Sequence, residues 1–349
     1  MKIGIGPIFN EHGGVNQHIL SIKKYSSHNI IEIPSRFVRR VLTLDKRGAG
    51  IIMYEKLVNP INSSRYDIIH SHVDPWFVNL CCSSRKKYFR WVHTYHALYR
   101  SEDWLNGLNK GQKATNKALI EVASKADVRI SVSKWLHDYL LDTYGIETEI
   151  IYNGIDSEAC DKALRDRFEK KYNCGDFVLF VGSIQDIKNP RLFVQLAARM
   201  PYIRFVMIGK NLDAVHLGKI YGVSIPSNLI LMQEVKHEVA LDAMSACKAL
   251  VMTSKREGIP TILLETMYLG KPVVVPAHSG CKEVVASDEY GFLYEPDSLN
   301  DLIKQTQQAL VSTHVGERAR KRVSEQYDWK ILAKSIDSVY ERTANHFTT

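Results

Sequence analysis

The segment from residue 249 to residue 276 constrains the fold more strongly than any other part of this sequence. Apolar runs at Ala249–Met252 and Pro272–Pro276 have the length and composition of buried strands, and a polar loop and a helical pattern lie between them. Pro260 suits the first turn of that helix, where its missing N–H costs no hydrogen bond, and Gly270 suits the left-handed end. Strand, loop, helix and strand form the repeating unit of an open α/β sheet, in which ligands bind at the carboxyl ends of the strands.

Two carboxylates stand out within this segment. Glu257 lies in the polar loop and Glu265 about one turn inside the helix. Free N–H groups and the positive end of the dipole favour a phosphate at a helix start, so we expect Glu257 to stand beside a bound phosphate. Glu265 could accept hydrogen bonds from a sugar diol. The alternative interpretation is a solvated surface helix with two ordinary glutamates, but the position of Glu257 at a strand end favours a binding site.

The same alternation occurs in both halves of the chain. Lys2–Gly6 has the pattern of a buried strand and precedes a glycine turn at residues 13–14, and Phe177–Val181 precedes a turn at residues 182–183. A chain of 349 residues with 45% hydrophobic residues can build two cores. We therefore predict an α/β protein with two doubly wound, Rossmann-like domains. The predicted parts are residues 1–155, residues 156–328 and a final amphipathic helix within residues 329–349.

The sequence gives no support for a metal site. His93 and His96 lie in the predicted strand Tyr88–His96, but positions three apart on a strand point to opposite faces, so the two rings should diverge. The six cysteines are scattered and contain no C-x-x-C pair of the kind that zinc sites use. No D-x-D sequence occurs anywhere in the chain. We predict that no metal ion takes part in the chemistry.

Most of the net positive charge lies in residues 1–155. The formal net charge is +8, and residues 1–155 hold 21 Lys and Arg against 14 Asp and Glu, which leaves a surplus of only 1 for the remainder. This asymmetry suggests an anionic partner, such as a phosphorylated acceptor or the headgroups of an anionic membrane, or simply a soluble surface. The cluster at residues 36–40 is one candidate contact. Nucleic acid is not expected, because neither stacking platforms nor a groove-reading helix is evident.

The start of the chain and its apolar runs bear on location. Met1–Gly6 already has a strand pattern, so we expect no signal peptide. No apolar run approaches the roughly 20 residues needed to cross a bilayer. The expected location is the cytoplasm, with peripheral contact at the inner face of the membrane as an open alternative.

A longer pattern surrounds the two carboxylates. It consists of Glu257-Gly258-Ile259-Pro260, Leu264-Glu265-Thr266-Met267, Gly270-Lys271-Pro272-Val273-Val274 and Gly280-Cys281-Lys282-Glu283-Val284-Val285. These residues resemble the donor-site signature of the retaining glycosyltransferases of the GT-B fold, family four (glycosyl transferases group 1). The chain departs from that signature at Thr266 and Cys281, where the family usually has Ala and Gly. The resemblance covers nearly the whole chain and is dense in residues 177–295.

The resemblance implies an architecture and a reaction. GT-B enzymes have two Rossmann-like domains with an interdomain cleft, and their last helix crosses back to the N-terminal domain. A hexosyltransferase of this kind moves a sugar from a nucleotide-diphosphate sugar to a hydroxyl acceptor. Here the resemblance suggests a UDP- or GDP-linked donor, no further cofactor, and a glycan or lipid-linked glycan as acceptor. The leaving phosphate itself would take the acceptor proton.

The resemblance also implies roles for individual residues. Three would be catalytic: His96 would contact the donor sugar, Glu257 its hydroxyls, and Lys188 the departing diphosphate. The implied donor-binding residues are Gly13, Gly14, Ser183, Gly258, Ile259, Pro260, Thr261 and Glu265. The family usually has Arg at the position of Ser183, so a cation is missing there, and Lys255, Arg256 or a residue of the Gly13 loop could replace it.

Two other functions remain open at the level of sequence. A non-hydrolysing sugar-nucleotide epimerase shares this fold, although it needs acids placed for proton abstraction and elimination, which fits the two glutamates less well. A non-catalytic module that binds a sugar nucleotide or nucleic acid is the second alternative, because Ser183 removes a cation and the N-terminal half is basic.

Overall fold

The computed structural model describes residues 1–8, 13–34 and 66–345, and these form two compact units. The first unit takes its described residues from Met1–Arg100, Leu108–Asn153 and Trp329–Thr349, and the second consists of Ser101–Gly107 and Gly154–Asp328. The segment Ser101–Gly107 therefore falls in a different unit from the one that the sequence predicts for it. One reason is that the backbone N–H of Leu105 donates to the carboxylate of Asp186 at 2.8 Å. The basic cluster at residues 36–40 lies outside the described residues.

The first unit is built on a parallel six-stranded sheet. Its strands, in chain order, are β1 (Lys2–Ile8), β2 (Asn29–Pro34), β3 (Ile68–Ser71), β4 (Arg90–Tyr95), β5 (Val128–Ser131) and β6 (Glu149–Ile150). Within the sheet they lie in the order β2-β1-β3-β4-β5-β6. The first helices are α1 (Gly14–Tyr25), α2 (Pro75–Tyr88), α3 (Lys110–Lys117) and α4 (Lys134–Tyr144). The order reverses at β1, which pairs with β2 on one side and β3 on the other. Ligands of such sheets bind at the carboxyl ends beside the reversal.

The second unit repeats this arrangement. Its sheet has the order β12-β11-β10-β7-β8-β9, with β7 (Phe177–Val181), β8 (Arg204–Ile208), β9 (Leu229–Met232), β10 (Ala249–Val251), β11 (Val273–Pro276) and β12 (Phe292–Tyr294). Its helices are α5 (Ser157–Cys160), α6 (Arg165–Tyr172), α7 (Pro190–Arg199), α8 (Ala214–Tyr221), α9 (His237–Ala246), α10 (Thr261–Tyr268), α11 (Ser279–Val285), α12 (Leu299–Val311) and α13 (Val315–Gln326). The reversal here lies at β7, between β8 and β10. The predicted fold class, two doubly wound parallel sheets, is confirmed.

The last helix, α14 (Trp329–Asn345), packs in the core of the first unit. Trp329 and Tyr340 are fully buried there, in the same cluster as Ile3 of β1. The sequence pattern places Ile331 on the apolar face as well, but its side chain is 46% exposed. Consecutive residues of a helix lie about 100° apart, and Ile331 falls at the edge of the buried face that Leu332 and Ala333 occupy.

One predicted helix is interrupted. The pattern over residues 104–123 predicts a continuous helix, whereas the structure has α3, which begins only at Lys110, and a π-helical turn at Ala118–Val122. The late start has a local cause. The Asn109 side chain accepts a hydrogen bond from the Gln112 backbone, and the Gln112 side chain accepts one from the Asn109 backbone, so this capping box fixes the first turn.

Candidate functional site

The candidate site of the second unit lies where the strand order reverses. β7 and β10 pair directly, and the loops that follow their carboxyl ends are tied together. Thr253 Oγ1 donates to the carbonyl oxygens of Lys188 and Asn189, at 3.0 and 2.9 Å. The Lys255 N–H donates to the Ile187 carbonyl at 2.8 Å. These bonds place Lys188 beside the acidic loop.

Lys188 and Glu257 form an ion pair at this point. Lys188 Nζ lies 2.6 Å from Glu257 Oε1, and the side chains are 26% and 13% exposed. An ammonium group has three donors, so Lys188 can hold a phosphate oxygen while it still contacts Glu257. The pair therefore offers a positive group for an anion and a carboxylate acceptor for hydroxyl groups within one small region.

The start of α10 adds amide groups to this region. Among the described residues no side chain caps α10, whose N-cap residue is Pro260. The first amides of such a helix, together with its dipole, favour an anion. Gly258, Ile259 and Pro260 are buried and Thr261 is partly buried, so these four residues contribute mainly backbone to the site.

A close backbone approach from α11 holds the acidic loop in place. The Gly280 N–H donates to the Glu257 carbonyl at 3.1 Å, and the Glu257 N–H donates to Ser279 Oγ at 3.2 Å. A Cβ added at Gly280 would lie 1.3 Å from the carbonyl oxygen of Gly258. Only glycine permits this approach, which fixes the backbone on both sides of Glu257.

Glu265 is a buried carboxylate that is only half satisfied. Its side chain is 5% exposed, and Oε1 lies 2.8 Å from Nε2 of His237 at the start of α9. Oε2 is buried and has no partner among the described residues. Burial lowers the pKa of His237, but the charge of Glu265 and its hydrogen bond outweigh this and raise the pKa above the ordinary value. His237 holds Oε1 of Glu265 in place, and Oε2 is left to accept a hydrogen bond. This arrangement suits a ligand with hydroxyl groups.

The basic residues next to Glu257 have partners on the Ser101–Gly107 segment. Arg256 Nε and Nη2 lie 3.0 and 3.2 Å from the two carboxylate oxygens of Asp103, whose side chain is 3% exposed. Lys255 Nζ donates to the Asp103 carbonyl at 3.4 Å. Lys255 and Arg256, which could compensate for Ser183, are therefore both engaged with Asp103. Ser183 itself follows β7 and is partly buried.

The first unit contains the other predicted residues. Gly13 and Gly14 stand at the start of α1, and Gly13 has a φ of 110°, which favours glycine. His96 directly follows β4 and is partly buried. The His96 and His93 side chains have different partners: His96 Nε2 lies 3.0 Å from His72 Nδ1, and His93 Nδ1 lies 2.8 Å from Ser71 Oγ.

Each unit thus assembles part of the predicted set. The second brings Lys188, Glu257, Glu265 and the residues from Gly258 to Thr261 into one region, and the first holds Gly13, Gly14 and His96. Sequence reasoning missed His237, which meets Glu265 across 28 residues of chain, and it missed the neighbours of His96. A histidine in the first turn of a helix carries no local signal of such a partner.

Comparison with known proteins follows the same division of the chain. Residues 162–329 match the family model of the glycosyl transferases group 1, and residues 13–159 match that of Glycosyltransferase Family 4. An uncharacterized glycosyltransferase of Methanocaldococcus jannaschii, MJ1178, is 26% identical over 99% of both chains.

A second relative resembles the chain in sequence, and a solved structure resembles it in fold. The N-acetylgalactosamine-N,N'-diacetylbacillosaminyl-diphospho-undecaprenol 4-alpha-N-acetylgalactosaminyltransferase of Campylobacter jejuni is 28% identical over 66% of this chain, and the match spans only 62% of that relative. The Anabaena protein Alr3699/HepE, solved in complex with UDP-glucose, has a TM-score of 0.75 at 15% identity and covers 98% of this chain and 99% of its own. At that identity the likeness shows a shared fold.

Proposed function

Because this chain belongs to the group 1, family four glycosyltransferases, we propose that it moves a sugar from a nucleotide-diphosphate sugar to an acceptor hydroxyl, with retention of configuration and without a metal ion. One observation carries the proposal. The Lys188–Glu257 ion pair lies beside the uncapped start of α10, and Glu265 follows within the same helix. A cation, backbone amides and two carboxylates are the groups that a diphosphate joined to two sugars requires.

The donor-binding roles follow from these contacts. Lys188 and the first amides of α10 would hold the diphosphate, since both favour negative charge. Oε2 of Glu265 would accept from the ribose hydroxyls, because it is the acceptor that His237 leaves unused. Glu257 would accept from hydroxyls of the donor sugar. UDP and GDP both fit these roles, since none of these groups would distinguish one nucleotide base from another.

The chemistry is the stabilisation of a leaving group. As the bond to the sugar breaks, negative charge grows on the diphosphate. Lys188 and the start of α10 would stabilise that charge in a partly buried environment. The chain has no D-x-D sequence to bridge the phosphates through a metal. His96 would contact the donor sugar near the reacting carbon, and the leaving phosphate would take the acceptor proton.

The acceptor is proposed to be a glycan or a lipid-linked glycan. The name of the Campylobacter relative describes transfer to a sugar on diphospho-undecaprenol, and residues 1–155 carry most of the net positive charge. In the described part of the chain no helix has the length and apolar character needed to cross a bilayer. Because positive charge favours anionic headgroups, contact with a lipid-linked acceptor would occur at the surface of an anionic membrane. Binding to vesicles with and without anionic lipid tests this part, and equal retention on neutral vesicles would refute it.

The donor can be found by thermal shift with UDP, GDP and ADP, each with and without Mg²⁺. We expect one nucleotide to raise the melting temperature in both conditions, because a ligand of the folded state stabilises it. That nucleotide names the sugar donor class for transfer assays. If all three leave the melting temperature unchanged, the donor site proposed here is wrong.

Mutation of Lys188 tests the mechanism. Lys188→Ala should lower kcat by about 100-fold or more, the usual effect of removing one group that stabilises developing charge. The matched control is Lys304→Ala, an exposed lysine on α12, which should retain wild-type turnover. EDTA should leave the wild-type rate unchanged. Full activity of Lys188→Ala would contradict its role in stabilising the leaving group, and loss of activity in EDTA would contradict the metal-free mechanism. Conversion of the donor without acceptor would indicate an epimerase.

A further inference from the structure

We propose that His18, His72 and His96 form a binding site for a late first-row divalent ion such as Zn²⁺ or Co²⁺, with one coordination position left open. The three histidines come from separate segments, since His18 lies on α1, His72 just after β3 and His96 just after β4. One ring nitrogen from each lies within 4.8 Å of the others. The spacing of these histidines along the chain did not predict the site.

The spacing of the rings matches a three-histidine tripod. Ring centroids are 4.7 Å apart for His18 and His96, 5.2 Å for His72 and His96, and 5.4 Å for His18 and His72. With Zn–N bonds of about 2.0–2.1 Å, each centroid lies roughly 3.2 Å from the metal, so a tetrahedral arrangement separates the centroids by about 5 Å. The rings therefore already stand where a single ion requires them, and small rotations would bring the nitrogens to it.

Two of the three rings have a buried nitrogen without a partner among the described residues. His18 Nδ1 lies 3.1 Å from Asn153 Oδ1, a hydrogen bond that leaves Nε2 with its lone pair, and Nε2 is buried without a partner in the described residues. His72 also has a buried Nε2 without a described partner, while its Nδ1 contacts His96 Nε2 at 3.0 Å. A metal-bound histidine usually donates its other ring N–H to an oxygen, as His18 can to Asn153.

The choice of metal follows from the donors. Imidazole nitrogens suit zinc, cobalt, nickel and copper, whereas magnesium and calcium require oxygen ligands. Three histidines with an open fourth position are a known arrangement for zinc in other proteins. His96 is only partly buried, so the open position can take water or another small ligand.

An ion at this site would inhibit the transferase. This consequence rests on the proposed function, in which His96 contacts the donor sugar. A metal would occupy a His96 nitrogen and fix its ring toward His18 and His72. Zn²⁺ would then slow sugar transfer, and EDTA would restore it, which is the opposite of the behaviour of a catalytic metal.

Cobalt provides a test that needs no enzymatic activity. The full-length protein, freed of metal with EDTA and dialysed, is titrated with CoCl₂ while visible absorption is recorded. We expect one equivalent of Co²⁺ to produce the intense bands of a tetrahedral nitrogen site, and ZnCl₂ to displace them. His18→Ala and His96→Gln should abolish the bands. His216→Ala, which removes an exposed histidine on α8, should retain them.

The outcomes separate this site from the transferase. Circular dichroism of each variant establishes folding, and His96→Gln is informative even if the buried His18→Ala variant fails to fold. Absence of stoichiometric bands, or bands that persist in folded His96→Gln, overturns the metal site. If cobalt binds and the rate of sugar transfer stays unchanged, the proposed inhibition is wrong. A protein that binds cobalt and transfers no sugar under any condition retains the metal site and refutes the proposed function.

Discussion

Replacing Gly280 by alanine should disable the candidate site without touching any of its charged groups. A Cβ at this position would lie 1.3 Å from the carbonyl oxygen of Gly258, whereas real Cβ atoms essentially never come within 3.0 Å of a neighbouring atom. The two backbones must therefore separate by about 1.7 Å, the difference between these distances. Because the neighbour is a backbone carbonyl, no side-chain rotation can relieve the clash.

The displacement bears directly on Glu257. The Gly280 N–H bond to the Glu257 carbonyl, 3.1 Å long, breaks when the segments separate, and the loop that aims the carboxylate moves with it. A misplacement of about 1 Å can cost roughly 100-fold in rate, which corresponds to about 2.7 kcal/mol of transition-state stabilisation. Alanine is favoured over glycine in a helix by about 1 kcal/mol, so propensity cannot compensate. We expect kcat/KM to fall by about 100-fold or more.

The assay is steady-state sugar transfer with the donor that thermal shift identifies. The control is Gly175→Ala, in which the nearest atom to the added Cβ is 3.9 Å away, an ordinary contact. This control should keep wild-type kcat/KM. Circular dichroism and the melting temperature show whether the Gly280→Ala protein is folded. Wild-type kcat/KM in Gly280→Ala would refute the reasoning, because it would mean that the loop position does not matter for the reaction.

Two further predictions concern the ion pairs of the second unit. The raised pKa of His237 means that its pairing with Glu265 contributes stability that is fully present below about pH 6.5 and is lost as the pH rises through the folded-state pKa. The melting temperature of the wild type relative to His237→Gln should accordingly fall between pH 6 and pH 9, and a difference that grows with pH would contradict the pairing. Arg256→Met should cost about 3 kcal/mol in denaturant unfolding, because it leaves the Asp103 carboxylate buried and unpaired, and adding Asp103→Asn should recover at least half of that loss. No recovery in the double variant would show that the two side chains do not act as a pair.

Local patterns allowed several elements to be predicted to the residue. The apolar run Phe177–Val181 is the strand β7 with the same bounds. Ser133, a residue type that favours N-caps, caps α4, since its side chain accepts from the Leu136 N–H at 3.1 Å. The order of strand, acidic loop and helix around Glu257 was likewise readable, because each part depends on residues next to it in sequence.

The remaining features depend on partners that are distant in the chain. The bond between His237 and Glu265 spans 28 residues, and the rings of His18, His72 and His96 come from three segments. Neither leaves a periodic signal. The engagement of Arg256 by Asp103 was missed for the same reason, since residues 101–107 carry no pattern that assigns them to the second unit.

The position of α14 has a consequence for synthesis on the ribosome. Trp329 and Tyr340 complete the core that contains Ile3, yet they are translated more than 300 residues later. The N-terminal sheet must therefore wait, with part of its apolar surface uncovered, while the whole intervening unit emerges and folds. A fragment ending at Ile155 should aggregate when expressed alone, whereas the same fragment fused by a flexible linker to residues 329–349 should become soluble.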